Sequence, residues 1–303
     1  MISVRLLRVG LCLVVFSGPL AHELRAQADH FNSELLPAVR RAATVIPGDA
    51  PTAVNYVLLN PFKVTLGFTI ESGGSDSVAG GYPVFQIRFP RSWIVVDAAL
   101  DRTFVPNSRT FVDADYRAIH EVLRDARLAV VTHEHHDHVA GVLSSPFLTT
   151  IQAHTLLTKS QVQSLMVRPN NPRIKIDSTV AARYIVTDYD PIMPIGPGVV
   201  LIKAPGHTPG SQIVYVRLAS GSEIVIAGDV AWNMSGIDSL RQKPMASTRG
   251  FGGEDRDAIA KELRWLHDVA GPQTVVLVSH DVAWLNRLVA QGFLTPRFDL
   301  SNR

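Results

Sequence analysis

The sequence predicts an α/β protein built as an αββα sandwich, with two mixed β-sheets packed face to face and helices on the outside. Three observations carry this. The chain has two strand-rich halves, each furnished with helices; amphipathic helices alternate with short apolar strands; and no low-complexity tract or solenoid period interrupts the alternation. With 303 residues, 46% of them hydrophobic, the chain could form one large domain or two small ones and still bury a substantial core.

Residues 1–28 read as an export signal instead of part of the fold. Arg5 and Arg8 form a basic start, residues 9–21 an apolar run too short to span a bilayer with ease, and Ala26-Gln27-Ala28 a small-x-small cleavage site. The mature chain then begins near Asp29 and is periplasmic or secreted, the competing reading being an uncleaved anchor. Leu11 before Cys12 disfavours lipidation, which wants a small residue there.

A short helix is expected over residues 33–44. Segments 53–59, 62–71, 83–89 and 93–97 are rich in β-branched and aromatic residues and punctuated by Gly and Pro, as strands and hairpins require. Residues 113–125 carry Ile119, Val122 and Leu123 at helical spacing, and 128–132 form a short apolar strand. The second half repeats the theme, with a helix over 156–166 and strands near 183–187, 199–203, 212–216 and 223–227. A Gly- and Ser-containing loop (233–253), an amphipathic helix (255–269), a buried strand (274–279) and a closing helix (282–290) complete it.

Charge and cysteine usage narrow the function classes. The chain has 29 basic and 27 acidic side chains. Loss of Arg5, Arg8, Arg25 and Glu23 with the leader leaves it near neutral, so it has no electrostatic footprint for a nucleic-acid backbone. Cys12, the only cysteine, leaves as well. Any metal site must then use nitrogen and oxygen ligands alone, which suits an oxidising compartment.

The informative stretch is Val131-Thr132-His133-Glu134-His135-His136-Asp137-His138-Val139-Ala140-Gly141, placed where a strand ends and a helix begins. Alternate side chains of extended backbone point the same way, so His133 and His135 converge on one ion while Glu134 points away. Once the chain turns, Asp137 and His138 diverge and can serve a neighbouring ion. Catalytic zinc commonly takes three protein ligands and keeps one position open. Distant residues must supply the rest, and His207, Asp229 and His280 each follow a predicted strand, which gathers them on one rim. His22, His30, His120, His136, His154 and His267 have no such corroboration and read as ordinary hydrogen-bonded or solvated histidines.

These residues resemble the metallo-β-lactamase superfamily. Its H-x-H-x-D-H motif is matched by His133, His135, Asp137 and His138, and its later His, Asp and His by His207, Asp229 and His280. The resemblance covers nearly all of residues 29–303 and implies a single hydrolase domain with the metallo-β-lactamase fold and two zinc ions per chain. It implies that His133, His135 and His207 bind the first metal, that Asp137, His138 and His280 bind the second, and that Asp229 bridges them. Asp97 matches the early aspartate that accepts hydrogen bonds behind the ligands, although Ala98-Ala99 follows it where the family usually has a glycine.

The chemistry so implied is attack of a metal-bound hydroxide on the carbonyl of a small-molecule ester, lactone, thioester or β-lactam, with Asp137 and Asp229 as catalytic residues and Asp137 helping to move a proton. Asp137, His138 and His280 make the cysteine-free second site shared by one lactamase subclass, lactonases and glyoxalase-type thioesterases. Val139-Ala140-Gly141 lacks the Gly-Gly run common in that lactamase subclass. Residues 233–253, with Trp232, Arg241, Lys243 and Arg249, form a candidate lid whose cations could hold a substrate carboxylate. Competing readings are a mononuclear-iron oxidoreductase of the same fold, a nuclease, and a non-catalytic metal-binding module. No membrane partner is expected after leader removal, and oligomeric state is not legible.

Overall fold

Strands buried on both faces should read as continuous apolar runs, and those runs sort here into two sheets. The computed structural model describes residues 28–301, so the predicted leader, with Cys12 and His22, lies outside the described residues except for Ala28. In chain order, α1 (Leu35–Ala42) leads into β1 (Ala53–Thr65), the helical turn α2 (Leu66–Thr69), β2 (Ser77–Arg88) and β3 (Trp93–Val96). Then follow α3 (Asp113–Arg124), β4 (Leu128–Val130), α4 (His136–Leu143), α5 (Leu148–Gln152), β5 (Thr155–Thr158), α6 (Lys159–Val167), α7 (Ser178–Ala181) and β6 (Ile185–Thr187). The second half runs β7 (Ile192–Gly196), β8 (Val199–Lys203), β9 (Gln212–Arg217), β10 (Glu223–Ile226), α8 (Met234–Asp238) and α9 (Met245–Thr248). It ends with α10 (Arg256–Val269), β11 (Thr274–Leu277), α11 (Val282–Ala290) and β12 (Leu294–Thr295).

Seven strands form the first sheet in the order β12-β1-β2-β3-β4-β5-β6, and five form the second in the order β11-β10-β9-β8-β7. Both are mixed. The first joins antiparallel β1-β2-β3 to parallel β3-β4-β5-β6, and the second is antiparallel except for its β10-β11 pair. Side-chain alternation then makes the layers. Ile94 and Val96 of β3 face Val199 and Leu201 of β8 and Val214 and Val216 of β9 in the core between the sheets. Trp93 and Val95 instead pack outward with Ile119, Val122 and Leu123 of α3. On the opposite side, Val200, Ile202, Ile213 and Tyr215 pack with Leu35 and Val39 of α1 and Ile259, Leu263 and Leu266 of α10. This is the αββα sandwich that the pattern predicts. Among the described residues, no helix is long and apolar enough to cross a membrane.

Several local expectations are corrected. Segments 53–59 and 62–71 are not two strands: β1 runs through both, with a register shift between Leu59 and Phe62 where Asn60 sits at φ 48°, and residues 66–69 form a helical turn. Nor is 156–166 all helix. Its first residues form β5, and α6 starts only after Thr158. The Thr158 side chain accepts from Gln161 N while Gln161 Oε1 accepts from Thr158 N, a capping box that the Thr-x-x-Gln spacing announces. Half-buried β7, interrupted by Pro194, and two-residue β12 gave too little apolar pattern to be read. The segment 233–253 holds α8 and α9 instead of being loop throughout.

What matters for function is where strands end. The segments leaving β3, β4, β8, β10 and β11 carry Asp97, the motif from His133, His207, Asp229 and His280 respectively, on one rim of the sandwich.

Candidate metal centre

The motif is split by a change of backbone. His135 is still extended (φ −71°, ψ 151°) and precedes the first turn of α4, which carries Asp137 and His138. His133 and His135 therefore project together, their ring centroids 4.7 Å apart, whereas Asp137 and His138 turn toward a neighbouring point. Glu134 points away and accepts from Thr208 Oγ1 at 2.8 Å.

The structure brings all seven predicted ligands together in two clusters, His133, His135, His207 and Asp229 in one and Asp137, His138 and His280 in the other. Within each, the ligand atoms lie within 4.8 Å of one another. Asp229 faces both clusters. Its Oδ2 is 3.8 Å from His133 Nε2 and 3.5 Å from His207 Nε2, and its Oδ1 is 3.4 Å from His138 Nε2 and 3.3 Å from His280 Nε2. Asp137 Oδ2 is 3.6 Å from both His138 Nε2 and His280 Nε2. These separations are mostly too long for good hydrogen bonds, yet short enough for donors arranged around a shared cation.

The donor set fits divalent metal. His133 Nε2, His138 Nε2 and Asp229 Oδ1 are fully buried and have no hydrogen-bond partner, a state that costs about 1–3 kcal/mol per group unless something else satisfies them. The contact between His207 Nε2 and His135 Nδ1, 3.0 Å long, needs a proton on one nitrogen and is one that a cation would replace. Burial and neighbouring imidazoles hold His133 well below the ordinary histidine range, and burial with His207 brings His135 down to about 3. Burial also opposes charge on His138, but Asp97, Asp229 and Asp137 together raise it well above its usual value. One corner thus offers neutral imidazoles, and the other holds an excess of carboxylate that calls for positive charge. Nitrogen and oxygen donors of this kind suit zinc.

Each cluster is braced from behind. Asp97 accepts from Thr132 N at 2.6 Å and from Thr132 Oγ1, and its Oδ2 lies 2.9 Å from His138 Nδ1. Asp97 and Ala99 both adopt left-handed backbone (φ 65° and 52°), so the turn with Ala98-Ala99 where a glycine was expected is formed by strained non-glycine residues. Gly141 lets α4 approach this turn, because a Cβ there would lie 2.0 Å from Ala98 O. His207 Nδ1 lies 2.6 Å from Glu254 Oε1, and His280 Nδ1 lies 2.8 Å from Gly81 O. Three histidines thereby commit Nδ1 to a protein acceptor and turn Nε2 to the centre. Trp232 Nε1 donates to Asp229 Oδ2 at 2.7 Å.

Glu254, Trp232 and Gly81 were not singled out as braces from the sequence. Trp232 follows Asp229 by three positions, but no spacing links Glu254 to His207, since it arrives on an irregular turn after Gly252 and Gly253. The uncorroborated histidines lie elsewhere: His30 bonds Lys203 O, His120 Ser145, His136 Asn170, His154 Leu123 O, and His267 lies beside Asp268.

A cavity of about 290 Å³ opens on the centre, with His135, Asp137, Asp229 and His280 in its floor and Phe62, Val64, Phe68, Thr69, Tyr82, Trp232 and Phe251 in its walls. Phe68 stacks on Trp232 with centroids 5.5 Å apart. A larger cleft of about 460 Å³ around Phe89, Arg91 and Arg127 contains none of the site residues. The lid expectation is corrected in part: Trp232 and Phe251 do reach the cavity, but among the described residues neither Lys nor Arg lines it. Lys243 is 1% exposed and turned inward, because Glu254 and the carbonyls of Asp229 and Val230 give its ammonium three acceptors. Arg241 is spent on Ser239 Oγ and the carbonyls of Glu71 and Ser72.

No protein-family model and no curated protein matches the sequence. Solved structures do resemble the fold. One is an N-acyl homoserine lactone hydrolase with the product N-hexanoyl-L-homoserine at its catalytic metal centre (TM-score 0.61, 12% identity, covering 78% of this chain and 96% of that one). A dizinc quorum-quenching lactonase matches with TM-score 0.54 and 12% identity over 80% of this chain and 92% of its own. A hydrolase of the β-lactamase superfamily matches with TM-score 0.51 and 14% identity over 77% and 91%.

Proposed function

We propose that this chain, which has the metallo-β-lactamase fold, is a dinuclear zinc hydrolase that cleaves an ester, lactone or thioester whose bulk is apolar and uncharged. The observation that carries the proposal is the disposition of Asp229, one oxygen toward each of two ligand clusters. His133, His135 and His207 would hold one ion, Asp137, His138 and His280 the other, with Asp229 between them. Ions held there would supply Lewis-acid polarisation of a carbonyl and a nucleophilic water ionised near neutral pH.

The chain's own side chains do the rest. Asp137 lies in the cavity floor beside His280 and is placed to accept and pass on a proton at its carboxylate. Tyr82, held protonated by burial and by the charges of Asp137 and Asp229, lines the wall as a neutral phenol. Phe62, Phe68, Trp232 and Phe251 exclude water and offer an apolar surface to an acyl or aromatic group. Lactonase activity in proteins of the same fold agrees with this reading. A β-lactam carries a carboxylate beside its scissile amide, and no Lys or Arg among the described residues lines the cavity to meet it, which favours the neutral carbonyl classes.

The test is a panel of neutral lactones, esters and thioesters of graded chain length, with β-lactams alongside, run on protein of measured metal content. Turnover of the neutral substrates should vanish on chelation and return with zinc, and β-lactams should be at least about tenfold slower. Protein carrying two zinc ions yet inert to the whole panel would support a binding module, and one iron per chain would support the oxidoreductase. Export belongs to the proposal too, with residues 1–28 as a cleaved leader. Mature protein from its native host should start near Asp29, and a chain retaining residues 1–28 would contradict export by cleavage.

A further inference from the structure

Lys243 and Glu254 form a buried ion pair that the hydrolytic chemistry does not itself require. The Lys243 side chain is 1% exposed and that of Glu254 fully buried, and the ammonium lies 2.7 Å from Glu254 Oε1. Isolated charges are expensive in such a place, and a pair offsets the expense only when its geometry is good and the remaining donors are satisfied. Here they are. Lys243 Nζ also donates to the backbone carbonyls of Asp229 and Val230, the latter at 3.2 Å, so its three protons have three acceptors. The same Glu254 oxygen lies 2.6 Å from His207 Nδ1. Arg256 Nη1 in turn donates to Lys243 O at 2.6 Å and fastens the lysine's backbone to α10.

The connections run to two ligands that arrive on different strands. His207 follows β8 and Asp229 follows β10, and both end on one ammonium, His207 through Glu254 and Asp229 through its own carbonyl.

Resting on the dinuclear reading above, we infer that Lys243 and Glu254 are positioning residues that set the metal centre: Glu254 fixes His207 with Nε2 toward the ion, and Lys243 locks Glu254 to the turn that carries Asp229. Neither touches substrate. The pair works by holding two ligands at one mutual distance, so its loss is felt first in metal affinity and only through that in turnover.

Zinc affinity of full-length protein, measured by competition with a chromophoric chelator, tests this together with the melting temperature of the metal-free protein. Glu254→Gln and Lys243→Met should each weaken one of the two zinc sites by about 10- to 100-fold, the usual effect of losing a partner behind a metal-bound histidine. Lys243→Met should also lower the metal-free melting temperature, because it leaves a buried carboxylate unpaired. The double variant Glu254→Gln/Lys243→Met separates the two roles. Its metal-free stability should return toward wild type, since no unpaired charge remains, while its zinc affinity stays low. Single variants that bind both ions as wild type does, or a double variant that recovers affinity along with stability, would overturn the inference. Wild-type protein that binds no zinc would overturn the dinuclear reading itself, and this one with it.

Discussion

The two ligand clusters share residue types but are held from behind in different ways. His138 is braced by Asp97, which is anchored to Thr132 and sits on a strained turn against α4, all within the first half of the chain. His207 is braced by Glu254, whose charge is balanced by Lys243 and whose backbone belongs to an irregular segment of the second half. Asp229, a member of the second of these clusters, turns its other oxygen toward the first. The difference teaches that a ligand set can be written in a motif while the rigidity behind it is assembled separately for each cluster.

Breaking the shared member should have the largest effect. Asp229→Ala removes the carboxylate that faces both clusters, so both ions should be lost and turnover should fall below about a tenth of wild type. Retention of two zinc ions by that variant, checked by elemental analysis, would show that the clusters do not share Asp229. A smaller and one-sided effect is expected for Asp97→Asn. The amide keeps the shape but no longer offers two charged acceptors, so the Asp137, His138 and His280 site should lose about 10- to 100-fold in zinc affinity while the other changes little. Equal loss at both sites would merge what the structure keeps apart.

His120 sharpens the comparison from outside the centre. Like His133 and His138 it is buried with an unpartnered Nε2, yet it belongs to neither ligand cluster, and burial, opposed by the charge of Asp101, brings it down to about 4. With its folded value below its unfolded one, the stability linked to it is present above about pH 6.5 and is lost as pH falls toward 4. Wild type should therefore lose roughly 2 kcal/mol more than His120→Gln between about pH 7 and pH 4.5, as measured by denaturant titration. Equal losses would mean that His120 is not the group titrating.

Much of this was legible because it is written locally. The motif from His133 to His138 needs only strand-then-helix geometry to split into two halves, and His207, Asp229 and His280 each follow an apolar run that reads as a strand. The layer order is legible for the same reason, since strands buried on both faces leave continuous apolar runs. The rest depends on contacts that span long stretches of chain. Lys243 reads as a surface cation until Glu254 and two carbonyls are seen around it, and the cavity wall mixes Phe62, Phe68 and Tyr82 from the first hairpin with Trp232 and Phe251 from far downstream. The β5–α6 boundary is different: Thr158 and Gln161 announced it, but the apolar pair Leu156-Leu157 fitted a helix equally well.

Anomalous diffraction at the zinc edge, from crystals of protein grown with zinc, tests the central claim most directly. Two peaks are predicted, one on each side of the Asp229 carboxylate, one near His133, His135 and His207 and the other near Asp137, His138 and His280. A single peak, or peaks away from Asp229, would contradict the account.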